Sequence, residues 1–270
     1  HIQKAEQEEI DIIAFPELAV TGYPPEDLLL KPDFIKDNMD AAEKIARSTG
    51  EITAIFGFAE RVEDKIYNSA AIASKHKILD SYQKIHLPNY GVFDEKRYFA
   101  EGSDFPVYDL GQVRFGINVC EDIWFSPGPS DIQSEHGASL IININGSPFS
   151  LGKRSQREEI LIERAKNNGI FIAYINMVGG QDELVFDGGS LIGGPTGNIL
   201  MRANQFEEKT YIYEIDLPAY KPRTIPKSIN EIKQVTLPGT IRESPSIVSS
   251  PTFSVIDQKE EIYRALVLGT

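Results

Sequence analysis

A thiol, an ammonium and a carboxylate stand at the ends of three strand-like runs in this sequence. Cys120, the only cysteine, follows QVRFGINV (112–119); Lys84 follows ILDSYQ; Glu17 follows IDIIAFP. Taken singly, each is unremarkable: a lone cysteine is more often a small buried hydrophobe than a nucleophile, and a charge at a strand end is more often merely solvated. Together they suit amide hydrolysis. A thiolate attacks a carbonyl, and a neighbouring ammonium favours the thiolate and the charge that develops on the carbonyl oxygen. A carboxylate can take the thiol proton, hand it to departing ammonia and then activate water. The amide of Glu121, just after the cysteine, is a candidate oxyanion donor. No histidine is required, and His86 and His136 are expected to be structural.

The elements that must position these groups alternate. Strand-like runs fall at 10–15, 52–58, 67–74, 112–119, 139–145 and 170–177, several apolar almost throughout, as strands covered on both faces are. Helical periodicity covers 33–48 and 153–168, the second stopped by Gly169. Alternation of this kind predicts an α/β layered fold. The stretches 67–83 and 187–201 read instead as antiparallel hairpins with glycine turns, so the sheet should be mixed. The cluster GGSLIGGPTGN is a hairpin turn in this reading, not a phosphate cradle. From 217 to 257 the chain turns rich in Pro and Ser and reads as an extended arm or linker, and EEIYRALVLGT (260–270) resumes a helical pattern. HIQKAEQEEI reads as the last turns of an amphipathic helix. A first strand is expected upstream of it, and further chain after Thr270.

Composition narrows the classes. With 40 acidic against 27 basic residues the formal charge is -13, so there is no basic face for nucleic acid. No run of about 18 apolar residues crosses a bilayer. One cysteine excludes an internal disulfide framework, the start lacks the features of a secretory signal, and the cytoplasm is the default compartment. Four scattered histidines give no metal site.

The local sequences then become specific. FPEL around Glu17, YQKIHLP around Lys84 and NVCEDIW around Cys120 resemble, in order and spacing, the three catalytic segments of the nitrilase superfamily. TGYPPEDLL (21–29), GVFDEKRYF (91–99) and CEDIW (120–124) resemble in particular the glutaminase domains of the glutamine-dependent NAD⁺ synthetase family. The resemblance spans about 10–216 and returns at 260–270, which resembles the first helix of a synthetase domain. It implies a four-layer α-β-β-α sandwich with mixed sheets, and a division into an amidohydrolase domain (1–216), an arm (217–257) and the start of a synthetase domain (258–270).

The resemblance also assigns roles. Glu17 becomes the general base, Lys84 the electrostatic partner, Cys120 the nucleophile that carries a glutamyl thioester, and Glu95 a second glutamate that orients the lysine and the substrate. Tyr90, Glu121, Trp124, Ser147 and Lys153 match positions that line a glutamine pocket. Lys153 stands where some members carry arginine, which removes a bidentate clamp on the substrate carboxylate. The glutaminase part is expected to need no cofactor. ATP, Mg²⁺ and deamido-NAD⁺ would belong to the synthetase domain, whose SGGxDS-type phosphate segment does not occur in these residues, and the family's members assemble as homo-oligomers. Two rivals stay open: another nitrilase-superfamily amidohydrolase, acting on an N-carbamoyl amine or an ω-amide, and a catalytically silent interaction module of the same fold.

Overall fold

A computed structural model describes residues 1–221, 232–241 and 252–270. After helix α1 (Ile2–Gln7), strand β1 (Ile12–Ala14) pairs in parallel with β2 (Thr53–Val62), and helix α2 (Pro32–Ala46) connects them. The antiparallel strands β3 (Lys65–Ser74) and β4 (Lys77–Gln83) complete a four-stranded sheet in the order β1-β2-β3-β4.

The second sheet is built on three parallel strands, β6 (Val113–Val119), β7 (Leu140–Asn145) and β8 (Phe171–Asn176). Helices α3 (Pro129–Glu135) and α4 (Lys153–Asn168) make the crossovers. β5 (Val107–Leu110) lies antiparallel to β6 on one side. Beyond the separate hairpin β9 (Val178–Gln181) and β10 (Leu184–Asp187), β11 (Leu191–Gly193) and β12 (Ile199–Arg202) extend the other side as an antiparallel pair. β13 (Gln234–Thr236) adds a parallel edge next to β5, giving seven strands in the order β12-β11-β8-β7-β6-β5-β13. Helix α5 (Gln258–Leu268) is capped by Asp257, which accepts from the amides of Lys259 and Glu260.

Side-chain alternation explains the layers. Along β2, Ile55 faces the other sheet while Ala54 and Phe56 face α1 and α2; along β7, Ile142 and Ile144 face inward while Ile141 faces α4. The inter-sheet core joins Ile55, Ala70, Ile72 and Tyr82 to Phe115, Ile117, Val119 and Ile144. Ala42 and Ala46 cover the first sheet from outside, and Leu161 and Ala165 cover the second. Helix, sheet, sheet, helix is the layering that the sequence resemblance implied. Truncating a residue of the shared core, such as Phe115→Ala, should cost about 3–5 kcal/mol.

The hairpins expected at 67–83 and 187–201 are present as β3–β4 and β11–β12, and Gly169 ends α4 in the left-handed conformation. The short strands β5, β9 and β10 had no expectation to match. Of the Pro- and Ser-rich stretch 217–257, residues 222–231 and 242–251 lie outside the described residues, and 234–236 form the sheet edge. No helix among the described residues is long and apolar enough to cross a membrane.

Candidate active site

Strands β1, β4 and β6 deliver the three groups singled out in the sequence, each just past its strand's C-terminal end. Such ends are where α/β folds place reactive groups. Glu17 sits where the chain leaves β1 and runs against β2: Gly57 donates to the Pro16 carbonyl at 3.1 Å. A Cβ on Gly57 would lie 2.6 Å from the Glu17 carbonyl carbon, so only glycine admits this approach. Cys120 opens a 3₁₀ turn, Cys120–Trp124, with φ +46°, an unfavoured left-handed conformation for a residue with a side chain. As the second residue of that turn, Glu121 has an amide of the kind a helix start leaves without an intrahelical acceptor.

The charges are packed tightly. Lys84, fully buried, donates from Nζ to Glu17 Oε1 at 2.7 Å and to Glu95 Oε1 at 2.8 Å. Asn68 Nδ2 also donates to Glu17 Oε1 at 2.7 Å, and the Gly146 amide donates to Glu17 Oε2 at 2.7 Å, so Glu17 is bound from both sheets. Tyr23 Oη donates to Glu95 Oε1 at 2.8 Å, while Glu95 Oε2 is buried without a partner among the described residues.

Burial works against the charge on Lys84, but Glu17 and Glu95 outweigh it and hold its pKa well above the usual lysine value. Burial, with Glu17's charge alongside, pushes Glu95 up to about 7 in spite of Lys84. The Cys120 thiol is pushed far up by burial and by Glu17, and Lys84 pulls in the opposite direction. Before a substrate enters, the cysteine is therefore a protonated thiol that must lose its proton to react.

Of the five pocket candidates, Tyr90, Glu121, Trp124 and Lys153 are more exposed than this cluster. Tyr90, 57 % exposed, donates to Glu121 Oε1 at 2.8 Å. Lys153 Nζ lies 4.1 Å from the centroid of the Trp124 ring, a cation–π contact. Partial burial, then Arg157 one helical turn away, lowers the pKa of Lys153. Ser147 is buried, and its hydroxyl accepts from Arg157 Nε at 3.1 Å. Arg157 in turn pairs with Asp187 at 2.8 Å and with the Ser147 and Pro148 carbonyls. His86 stacks on Phe125 at 3.9 Å between ring centroids, and burial lowers its pKa.

Several residues at the site gave no signal in the sequence. Asn68 and Arg157 lie within ordinary strand and helix patterns, and Tyr23 lies in TGYPPEDLL without a role read for it there. Asp122 stands inside CEDIW, but nothing there told it from its neighbour Glu121. Its carboxylate is fully buried and accepts four hydrogen bonds, from the amides of Ile85, His86 and Val119 and from Tyr82 Oη. No group of three or more His, Cys, Asp or Glu residues suited to a metal ion occurs among the described residues. Two surface cavities, of about 240 and 190 Å³, are lined by none of Glu17, Lys84, Glu95 and Cys120.

Comparison with known proteins places the chain as a whole. A model of the carbon–nitrogen hydrolase family matches residues 1–223. Over 99 % of its length the chain is 37 % identical to a glutamine-dependent NAD(+) synthetase of Thermotoga maritima, of which it covers 48 %. A solved glutamine-dependent NAD+ synthetase from Acinetobacter baumannii, in complex with ADP, superposes with a TM-score of 0.81 at 35 % identity, over 99 % of this chain and 46 % of that one. A mutant of an amidase from Nesterenkonia sp. AN1, captured with acrylamide added to its active-site cysteine, aligns with a TM-score of 0.66 at 28 % identity, over 75 % of this chain and 79 % of that one. The chain thus spans about half the length of the curated relatives it matches.

Proposed function

The chain belongs to the carbon–nitrogen hydrolase family, and on that premise we propose that it hydrolyses the side-chain amide of glutamine through a thioester on Cys120. It would supply the ammonia for a glutamine-dependent NAD⁺ synthetase. One observation carries the reading: the buried Glu17–Lys84–Glu95 cluster lies within electrostatic reach of the only cysteine. An ammonium held charged between two carboxylates is costly to bury, and amide hydrolysis gives it a use.

The steps follow from the positions. Glu17 takes the Cys120 proton as sulfur attacks the amide carbon, and the oxyanion is met by Lys84 and the Glu121 amide. Collapse breaks the C–N bond, and Glu17 returns its proton to the nitrogen, which leaves as ammonia. Glu17 then deprotonates a water that attacks the thioester, so glutamate departs and the proton returns to sulfur. The unpartnered Glu95 Oε2 is a ready acceptor for an N–H of the substrate carboxamide. Ser147, Lys153, Tyr90, Glu121 and Trp124 would hold the amino and carboxylate groups of glutamine.

In this reading residues 1–216 are the amidohydrolase domain, 217–257 the connecting arm and 258–270 the start of a synthetase domain. ATP with Mg²⁺ and deamido-NAD⁺ would act in that second domain, and the ADP complex of the Acinetobacter relative supports a nucleotide site in the longer proteins. The reading carries with it a cytoplasmic setting and a homo-oligomer.

The Nesterenkonia amidase favours one other reading, since most of that protein's length aligns with this chain. The substrate would then be a different amide. Ammonia release measured with glutamine, asparagine and an N-carbamoyl amine decides between them. A preference for glutamine of at least about tenfold in kcat/KM is expected. Faster release from either competitor would replace the substrate and leave the thioester chemistry standing.

A further inference from the structure

Lys84 arrives from the four-stranded sheet and Cys120 from the seven-stranded one. Their separation must be fixed for the ammonium to meet an oxyanion that forms on a carbonyl bonded to sulfur. The Lys84 ammonium is anchored to Glu17 and Glu95, neither of which is next to Cys120 in the chain. Something else must set where the nucleophile sits.

We propose that Asp122 is a positioning residue that sets the spacing of Lys84 and Cys120 and holds the nucleophile's backbone in its left-handed turn. The proposal rests on the reading of Cys120 as nucleophile. Its support is the set of partners on one carboxylate. Oδ1 accepts from the amides of Ile85 at 3.2 Å and His86 at 2.8 Å, the two residues that follow Lys84. Oδ2 accepts at 2.8 Å from Tyr82 Oη, two residues before Lys84, and at 3.1 Å from the Val119 amide, immediately before Cys120. A single side chain thus grips the Lys84 segment on both sides and the strand end that delivers Cys120.

The bond to Val119 has a local consequence. Asp122 reaches back three residues and closes the turn in which Cys120 adopts φ +46°. A side-chain residue persists there only when its surroundings over-determine it. The bonds are also matched in kind: an ionised carboxylate offers only acceptors, and all four partners are donors. Burial pushes Asp122 up to about 6, opposed by the His86 and Val119 amides, which still leaves it ionised at neutral pH. Asparagine has nearly the same shape but would turn an NH₂ group towards two of those donors.

The test compares wild type, Asp122→Asn and Tyr82→Phe in the intact protein. Three quantities are read: the rate at which iodoacetamide alkylates Cys120, followed by intact mass, and kcat and KM for glutamine. Asp122→Asn is expected to slow alkylation about tenfold and lower kcat about 30-fold, the size of one or two lost charge-assisted bonds, with KM within about twofold. Tyr82→Phe removes one donor and strands nothing, so kcat should fall about threefold at unchanged KM. A variant Asp122→Asn that merely melts at lower temperature, with alkylation unchanged or faster and kcat intact, would overturn the proposal. Should that variant fail to fold, wild-type kcat in Tyr82→Phe would overturn it equally. If the wild type does not hydrolyse glutamine at all, the substrate reading falls while the alkylation rates still decide the role of Asp122.

Discussion

The floor of the site and its rim are built differently. On the floor, Glu17, Lys84 and Glu95 are buried and tied by bonds between distant parts of the chain, as Gly146 to Glu17 and Asn68 to Glu17 illustrate. At the rim, Tyr90, Glu121, Trp124 and Lys153 are partly or largely exposed and meet through a phenol–carboxylate bond and a cation–π contact. Buried, many-partnered groups cannot shift singly, because each stranded partner costs its own desolvation. Exposed pairs can change at little expense. The floor should therefore govern bond breaking and the rim the choice and affinity of substrate.

Substitutions can break that division, and the floor should show the largest effects. Cys120→Ala is expected to lower ammonia release from glutamine by more than about 10⁴-fold while the fold survives, which an ammonia assay and a melting curve would check together. Lys84→Met should reduce kcat by about 10²–10³-fold and slow Cys120 alkylation, since the thiol loses the ammonium that pulls its pKa down. It also strands Glu17 and Glu95, so urea unfolding should register a loss of about 3–5 kcal/mol.

Glu95 makes a pH-dependent prediction. Its folded pKa of about 7 lies above its usual 4.5, so the stability it contributes is complete at low pH and is lost as pH rises through 7. Between pH 5 and 8 the wild type should lose up to about 3 kcal/mol relative to Glu95→Gln, measured by denaturant unfolding at each pH. A flat difference would contradict the assignment.

The rim should give the smallest effects, and of another kind. Lys153→Ala is expected to raise KM for glutamine about tenfold with kcat within about twofold, and Tyr90→Phe to raise it only about two- to threefold. A rim substitution that lowered kcat as much as a floor substitution would erase the distinction.

The same contrast governs what the sequence disclosed. Groups at the ends of strand-like runs were legible, because the segments IDIIAFP, ILDSYQ and QVRFGINV stand out in the sequence and Glu17, Lys84 and Cys120 follow them. The layering was legible from the resemblance, and the apolar runs agreed with strands covered on both faces. Partners that act across layers were not. Asp122 looks like any acidic residue in a turn until Ile85, His86 and Tyr82 from the other sheet are seen to bond it. Asn68 and Arg157 were hidden for the same reason, since strand and helix periodicity reports which face a residue takes and nothing about what meets it there. Short strands such as β5 and β13 escaped because three or four residues carry too little pattern.

The central claim is that Cys120 attacks the side-chain amide of glutamine. It is tested most directly by intact-mass analysis after exposure to a glutamine-mimicking electrophile, with glutamine, asparagine or an N-carbamoyl amine as protectant. The account predicts a single adduct on Cys120 that glutamine alone suppresses. An adduct that glutamine leaves untouched and another amide prevents, or a folded protein that takes no label, would contradict it.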